Sequence, residues 1–373
     1  MLQRNDAYLV GYYGMRNSGD DALMLASAWG IKHILGSNTT KISLVGSVQH
    51  PLFGAQAANL KSNQRFSGEN RLAHYRAALT SKRVVFGGGS VLHSETDINL
   101  KRHLMGLARS NANLALGVSV GPFTTSGAEK ACTKFLNECS FVGVRDSESL
   151  DIATSIAPNA NVQKTFDLAP LLLCSEHYQP LKSARLGIAL ALCPVAIDAM
   201  GNIDKEAETR RVIQLAQLIT RLHLTTGEPI TLLEFNGHAF LGDWQINHPI
   251  MRKLKSTVPL YIKPYNPDPI AVLGDLGQYK CVISMRLHGA IMAYLADTPV
   301  ISLNYHRKCR GWCEQIQMAK NYQFELDELD FAQVAWQVEK GLSDGFIEPK
   351  LPKKSALTQA LSNWRVNDEF TPI

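Results

Sequence analysis

The 373-residue chain has no dense basic run: 38 Lys and Arg against 33 Asp and Glu leave a formal charge of +5. Short pairs such as Lys353-Lys354 stand where a nucleic-acid binder would gather its cations along one face. That balance suits an anionic small substrate or an anionic membrane surface. Cysteine is sparse, seven residues scattered over the whole length. The odd number and wide spacing exclude a disulfide framework and point to a reducing compartment. No apolar run reaches the roughly 20 residues of a membrane-crossing helix; the longest, Leu186–Ile197, is broken by Pro194. The first apolar stretch, Ala7–Tyr13, begins almost at the N-terminus with Arg4 and Asp6 before it, and no charged leader or small-residue cleavage site is visible. The expectation is a soluble cytoplasmic protein, any membrane association being peripheral and at the inner face. Repeats and low-complexity tracts are also missing. With 45% hydrophobic residues disorder is excluded, and at about 150 residues per domain the length predicts two domains.

What the chain does have is alternation. Short apolar runs at Tyr8–Tyr12, Ile42–Val45, Val84–Phe86, Leu114–Val118 and Phe141–Val144 read as strands. Between them, helical periods run over 20–35, 69–79, 99–109, 128–138 and 147–155. The second half repeats the pattern, with strands at Leu186–Leu192, Pro229–Glu234, Leu260–Ile262, Cys281–Ser284 and Val300–Leu303. Its helices fall at 205–222, 245–254, 269–276, 287–295 and 311–318, and a terminal pair at 331–342 and 355–364. Strands separated by helices of this length build βαβ units and parallel sheets. Cys174–Ala184, with Pro180, reads as the linker. The expected organisation is an α/β domain over 1–175, a second over 184–345 and a helical tail over 346–373. Both domains are expected to be doubly wound and to face each other across a cleft where ligand binds.

Four motifs follow strands. In Gly11–Leu23 a strand runs into a glycine-spaced loop that opens a helix with Ser18 or Asp20 as N-cap. Free amides there favour an anion, and Asn17, Gly19 and Asp20 are candidate contacts. Neither Gly-x-Gly-x-x-Gly nor Gly-Lys-Ser/Thr is present, which disfavours dinucleotide and P-loop readings; a capped βα turn without ligand is the plain alternative. In Phe86–His93, three glycines follow a strand and allow backbone to approach a ligand closely, making Gly88, Gly89 and Ser90 candidates with His93 projecting beyond. In Val142–Ser147, Arg145 ends a buried strand and Asp146 or Ser147 caps the next helix. Its guanidinium suits carboxylate or phosphate, the alternative being a salt bridge to Asp146 or a neighbouring helix. In Cys281–Ala290, Arg286 and His288 share the turn between strand and helix, a placement from which one could hold an anion and the other transfer a proton; a histidine that merely caps or packs at the helix start is the plain alternative.

Weaker signals are Thr165–Pro170, which ends the first domain, and Asn304–Lys308, which adds cations to the edge that carries Arg286. His306, Cys309 and Cys313 lack a second Cys/His pair at zinc spacing, so no metal site is expected.

The four motifs, in this order, resemble those of the polysaccharide pyruvyl transferase family. The matching stretches are Gly11–Ala22, Gly87–Ser90, Val142–Ser149 and Arg286–His288, and Tyr305–Lys308 looks like the family's Tyr…Lys segment. The likeness runs over roughly residues 8–320. One departure is Phe166–Pro170, where the family often has Asp-Pro directly. The resemblance implies a GT-B-like fold and transfer of the pyruvyl group of phosphoenolpyruvate to two hydroxyls of a sugar, giving a cyclic ketal and phosphate. It aligns Arg145, Arg286, Leu287 and Lys308 with donor binding and His288 with the acid, and matches His93 more loosely. No cofactor is implied beyond phosphoenolpyruvate as co-substrate. The partner would be a sugar acceptor, free, lipid-linked or nucleotide-linked, with no nucleic acid. Two rivals stand beside this: a GT-B glycosyltransferase using a nucleotide sugar, and an inactive scaffold of a polysaccharide-synthesis complex. The second would be expected to have lost Arg286 or His288.

Overall fold

The computed structural model describes residues 4–46, 52–180, 184–195, 204–326 and 329–365. Residues 181–183 of the linker, the last two of the Leu186–Ile197 run and the end of the tail lie outside it. The described residues form two compact units. One comprises the chain up to Met15, Asp20–Ser175 and the tail from Lys354; the other comprises Arg16–Gly19 and Glu176–Lys353.

In the first unit the elements are β1 (Asn5–Tyr13), α1 (Ser18–His33), β2 (Thr40–Leu44), β3 (Gln56–Ala57), α2 (Glu69–Leu79), β4 (Ser81–Leu92), α3 (Glu95–Leu107), β5 (Leu114–Val120), α4 (Ser126–Glu138), β6 (Phe141–Val144), α5 (Ser147–Ile156) and β7 (Val162–Lys164). The sheet is seven-stranded, in the order β3-β2-β1-β4-β5-β6-β7, and every pair is parallel. Strand β5 is buried at every position, as a parallel sheet covered on both faces requires. Tyr8, Phe86 and Phe135 lie in the core between sheet and helices. Polar side chains start the helices: Ser94 accepts from the Asp97 amide at 3.3 Å, Thr125 from Ala128 at 3.1 Å and Asp146 from Ser149 at 2.8 Å, each satisfying an amide that the helix itself cannot.

The second unit contains β8 (Ile188–Ala191), α6 (Lys205–Thr226), β9 (Ile230–Leu233), α7 (Trp244–Leu254), β10 (Leu260–Lys263), α8 (Pro269–Leu276), β11 (Cys281–Ser284), α9 (Leu287–Leu295), β12 (Val300–Asn304), α10 (Arg307–Gln315), β13 (Gln323–Glu325) and α11 (Phe331–Asp344). Its six strands run β10-β9-β8-β11-β12-β13, again all parallel. Helix α12 (Lys353–Leu361) follows and returns the chain to the first unit. There Asn363, fully buried, accepts from the Gly117 amide at 2.7 Å and the Thr165 hydroxyl at 2.8 Å, and donates to the Phe166 carbonyl at 2.9 Å. Gly143 leaves room for it: a Cβ there would lie 2.2 Å from Asn363 Oδ1. Among the described residues no helix is long and apolar enough to cross a membrane.

Both sheets are doubly wound, as the alternation predicts; the sequence reading lacks the short edge strands β3, β7 and β13, and further details depart from it. The tail is not a separate segment from 346; it joins the first unit from Lys354, while Arg16–Gly19 groups with the second. Strand β4 does not end at Phe86 but runs to Leu92 through all three glycines, so they are strand rather than loop. Helix α3 starts at Glu95 rather than 99 because Ser94 caps it. Helix α10 starts at Arg307 rather than 311 because the His306 ring accepts from the Lys308 amide at 3.2 Å. That contact makes His306 the cap of α10.

Candidate active site

In an open parallel sheet the ligand crevice lies beyond the carboxyl ends of the strands where the order reverses. In the second sheet that point is β8 beside β11. The turn after β11 is tied there: the amides of Met285 and Arg286 both donate to the Ala191 carbonyl, at 2.9 and 3.3 Å, and the Ser284 hydroxyl donates to the Arg286 carbonyl at 2.7 Å. Gly289 is needed for this closure, since a Cβ would lie 2.6 Å from Ser284 Oγ and 3.0 Å from Ala191 Cβ. Arg286 occupies the N-cap position of α9 without any side-chain cap. The positive end of that helix therefore faces the crevice. Leu287 has its side chain buried, so what it presents there is backbone.

Arg286 is ion-paired to Asp243, which is wholly buried in the loop after β9. The other carboxylate oxygen of Asp243 accepts from the amides of Phe235 and Asn236, at 3.0 and 2.9 Å. Burial pushes the Asp243 carboxyl up, with Arg286 and those amides acting against the rise. Cys193, just past β8, is also buried, and burial pushes its thiol up to about 11 against the pull of Arg286. Tyr305, after β12, is shifted upward by burial, and the charges of Arg286 and Asp243 act on it as well. Lys308 acts on Cys193. Thus Cys193, Asp243, Arg286, Tyr305 and Lys308 share one electrostatic neighbourhood at this edge.

The segment Arg16–Gly19 belongs to the same unit. Asn17 bridges Asn236 in antiparallel fashion, the Ser18 amide donates to the Phe235 carbonyl at 2.9 Å, and the Gly237 amide donates to the Arg16 carbonyl at 2.8 Å. The Arg16 guanidinium lies over the Tyr265 ring, 5.4 Å from its centre. The N-cap of α1 is Asn17, whose side chain accepts from the Gly19 amide at 3.1 Å. Neither Ser18 nor Asp20 takes that role, because α1 already begins at Ser18. Gly19 lies against the His288 ring: a Cβ would sit 2.4 Å from Nδ1 and 2.7 Å from Cγ. Asn17, Gly19, Arg286, Leu287, His288 and Lys308 are therefore brought together in one unit.

Of the remaining candidates, the glycines lie in β4 at the reversal of the first sheet, where β1 is beside β4, while Arg145 follows β6 and reaches back to Ser90. Gly87 is glycine for packing: the Tyr13 hydroxyl donates to its carbonyl at 2.7 Å, and a Cβ would meet Ser27 Oγ at 2.3 Å. Gly88 and Gly89 have φ of 76° and 88°, which a side chain would strain. The Asp20 carboxylate is 3.9 Å from where a Gly89 Cβ would stand. Arg145 is buried and donates to Ser119 at 2.8 Å, Asp167 at 2.9 Å and Ser90 at 3.0 Å. Its acidic partner is Asp167 and not the adjacent Asp146, which caps α5. His93 is exposed and its ring is hydrogen-bonded to the Ser90 carbonyl.

Asp243 and Cys193 were missed by sequence reasoning. Asp243 belongs to no periodic or spaced pattern, and Cys193 reads as one more apolar residue at a strand end.

The fold is that of known two-domain enzymes. The UDP-GlcNAc 2-epimerase of Neisseria meningitidis, solved with UDP-GlcNAc, superposes with a TM-score of 0.57 at 11% identity, over 97% of this chain and 100% of that one. HepE of Anabaena, solved with UDP-glucose, gives 0.57 at 10% identity over 97% and 96%. A glycosyltransferase of Rickettsia africae gives 0.54 at 11% over 98% and 95%. Two parallel-sheet α/β domains of this kind define the GT-B architecture shared by glycosyltransferases and epimerases. Within that architecture, the model of the polysaccharide pyruvyl transferase family matches residues 17–307. The chain belongs to that family and is a transferase. No curated protein sequence matches it.

Proposed function

We propose that the protein transfers the pyruvyl group of phosphoenolpyruvate to two hydroxyls of a sugar in a polysaccharide or its precursor. The observation that carries the reading is the pairing of Arg286 with His288 at the uncapped start of α9, on the reversal point of a parallel sheet. Phosphoenolpyruvate is a compact polyanion, and Arg286, Lys308 and the first turn of α9 offer it a fork, a point charge and a helix dipole. Arg145 and the Gly88–Ser90 stretch of the first unit are the further candidate contacts, for donor and acceptor respectively, with Asp20 and His93 beside them. No cofactor enters the scheme.

The chemistry balances on the chain's own residues. His288 delivers a proton to the vinyl methylene, which becomes the ketal methyl group, and C2 takes on oxocarbenium character. One sugar hydroxyl adds to C2 and releases its proton. The C2–O bond to phosphate then breaks, phosphate leaves with the electron pair, and the second hydroxyl closes the ring as its proton departs. Of the two hydroxyl protons released, one restores the His288 acid between turnovers and the other leaves with the phosphate.

The test is incubation of the protein with phosphoenolpyruvate and a panel of lipid-linked, nucleotide-linked and aryl glycosides, read by phosphate release and by mass spectrometry of the acceptor. Stabilisation against heat by phosphoenolpyruvate is expected. Stabilisation by UDP or GDP with no effect of phosphoenolpyruvate would instead establish a nucleotide-sugar transferase.

A further inference from the structure

We infer that Asp243 is the positioning residue of the donor site: it aims the Arg286 guanidinium and, through the same carboxylate, holds the loop to which Arg16–Ser18 is paired. The inference rests on the pyruvyl-transfer reading for its substrate and on the second unit alone for its geometry. The two oxygens of Asp243 have divided tasks. One is ion-paired to Arg286 Nη2, and the other accepts from the Phe235 and Asn236 amides. The Asp243 amide donates back to the Asn236 carbonyl at 2.8 Å, closing the loop on itself. That loop then meets the N-terminal segment through the Phe235 carbonyl and the Gly237 amide.

One buried carboxylate thus ties the arginine of one strand-end turn to the segment that carries Asn17 and Gly19. A carboxylate with no aqueous exposure is costly unless fully paired, and here every contact it makes fixes a site element. On the arginine, Asp243 takes Nη2 alone, and the buried Nε has no acceptor among the described residues, so the fork is held at one edge without being saturated. A guanidinium free to rotate would lose its bidentate approach to phosphate or carboxylate.

Asp243→Asn tests this. Its single oxygen is retained by the two loop amides, so the side-chain amine faces Arg286, donor against donor. The KM for phosphoenolpyruvate is expected to rise about tenfold, with kcat falling less than threefold, the pattern of weakened binding rather than of lost chemistry. In the Asp243→Asn/Arg286→Lys double variant, KM should match the worse single variant within about threefold, because both act on one interaction. A merely structural role would lower the melting temperature and the active fraction while leaving KM in place. Should the Asn variant not accumulate folded, Asp243→Ser, which keeps an acceptor for one amide, takes the same measurements. An unchanged KM in a folded variant, or KM effects that multiply in the double variant, would overturn the inference. A crystal structure of the substituted protein without substrate decides independently: a displaced Arg286 guanidinium supports the inference and an unmoved one refutes it. If the parent protein itself neither binds phosphoenolpyruvate nor releases phosphate, the pyruvyl-transfer reading falls, and that crystal structure still decides the positioning role.

Discussion

Gly19→Ala places one methyl group against the proposed acid. Gly19 lies in the first turn of α1 outside the left-handed region, so alanine meets no backbone strain, and helix propensity favours it by up to about 1 kcal/mol. The contacts oppose this. The new Cβ would stand 2.4 Å from His288 Nδ1, 2.7 Å from Cγ and 2.9 Å from Cβ, where ordinary contact begins at 3.4 Å. Because His288 Cβ is itself too close, rotating the imidazole does not fully relieve the overlap: the backbones must part by about 0.5 Å with the ring turned away, or by about 1 Å with the ring in place, so the acid group moves by about 1 Å in either case. Overpacking of that size costs on the order of 1–3 kcal/mol, roughly cancelled in part by the propensity gain, so the variant should fold. A general acid displaced by about 1 Å loses on the order of 100-fold in rate. The assay is phosphate release at saturating phosphoenolpyruvate and acceptor, beside a thermal melt. Gly106→Ala is the control: it is also helical, and nothing lies within 4 Å of its added Cβ, so activity should be unchanged. If Gly19→Ala keeps kcat within threefold of the parent, then either His288 is not the acid or its position is not held by this contact.

Other outcomes can be set beside it. His288→Ala should lower kcat by roughly 10²–10⁴-fold with little change in phosphoenolpyruvate affinity measured by calorimetry. Arg286→Lys keeps charge but loses the fork, and should weaken donor binding by about 1.5–3 kcal/mol, or about 10- to 100-fold in KM. Arg145→Ala strips the buried Asp167 of its ion pair and should appear first as lost stability, about 3–5 kcal/mol by denaturant melt. Asp6 accepts from Lys82 and from the Asn38 and Thr39 amides, contacts led by Lys82 that lower its carboxyl to about 2. Its contribution, held below about 1 kcal/mol by solvent screening, is present above pH 4 and lost as pH falls towards 2. The stability difference between the parent and Asp6→Asn should therefore vanish over that window.

The alternation of apolar runs and helical periods made both sheets legible, because the central strands are buried and many of the helices, α3, α4, α5, α6 and α8 among them, have a local side-chain cap. Reading failed where the deciding contact is remote or contradicts propensity. Glycine is a poor strand former, so Gly87–Gly89 looked like loop, although Tyr13 and Ser27 hold Gly87 within β4. Arg286 and His288 were readable from two adjacent signals, a strand end and a helix start. Asp243 was not, since its partner is 43 positions away in sequence and an isolated loop aspartate looks like any solvated acid. The tail looked independent for the same reason: its anchors, Asn363 and the buried Trp364 packed on Gly30, have their partners far back in the chain.

That asparagine has a consequence for synthesis on the ribosome. The Gly117 amide waits for a partner made 246 residues later. At roughly 5–20 residues per second that is about 12–50 s, during which the first sheet exists with a buried polar gap beside Gly143 and Thr165. The last contact of the first unit is therefore supplied by a residue made after the unit encoded within it. A nascent chain stalled before residue 363 should be cut by protease within the first unit, where the released full-length protein resists. The commonplace asparagine near the end of the chain sets when the beginning of the molecule is finished.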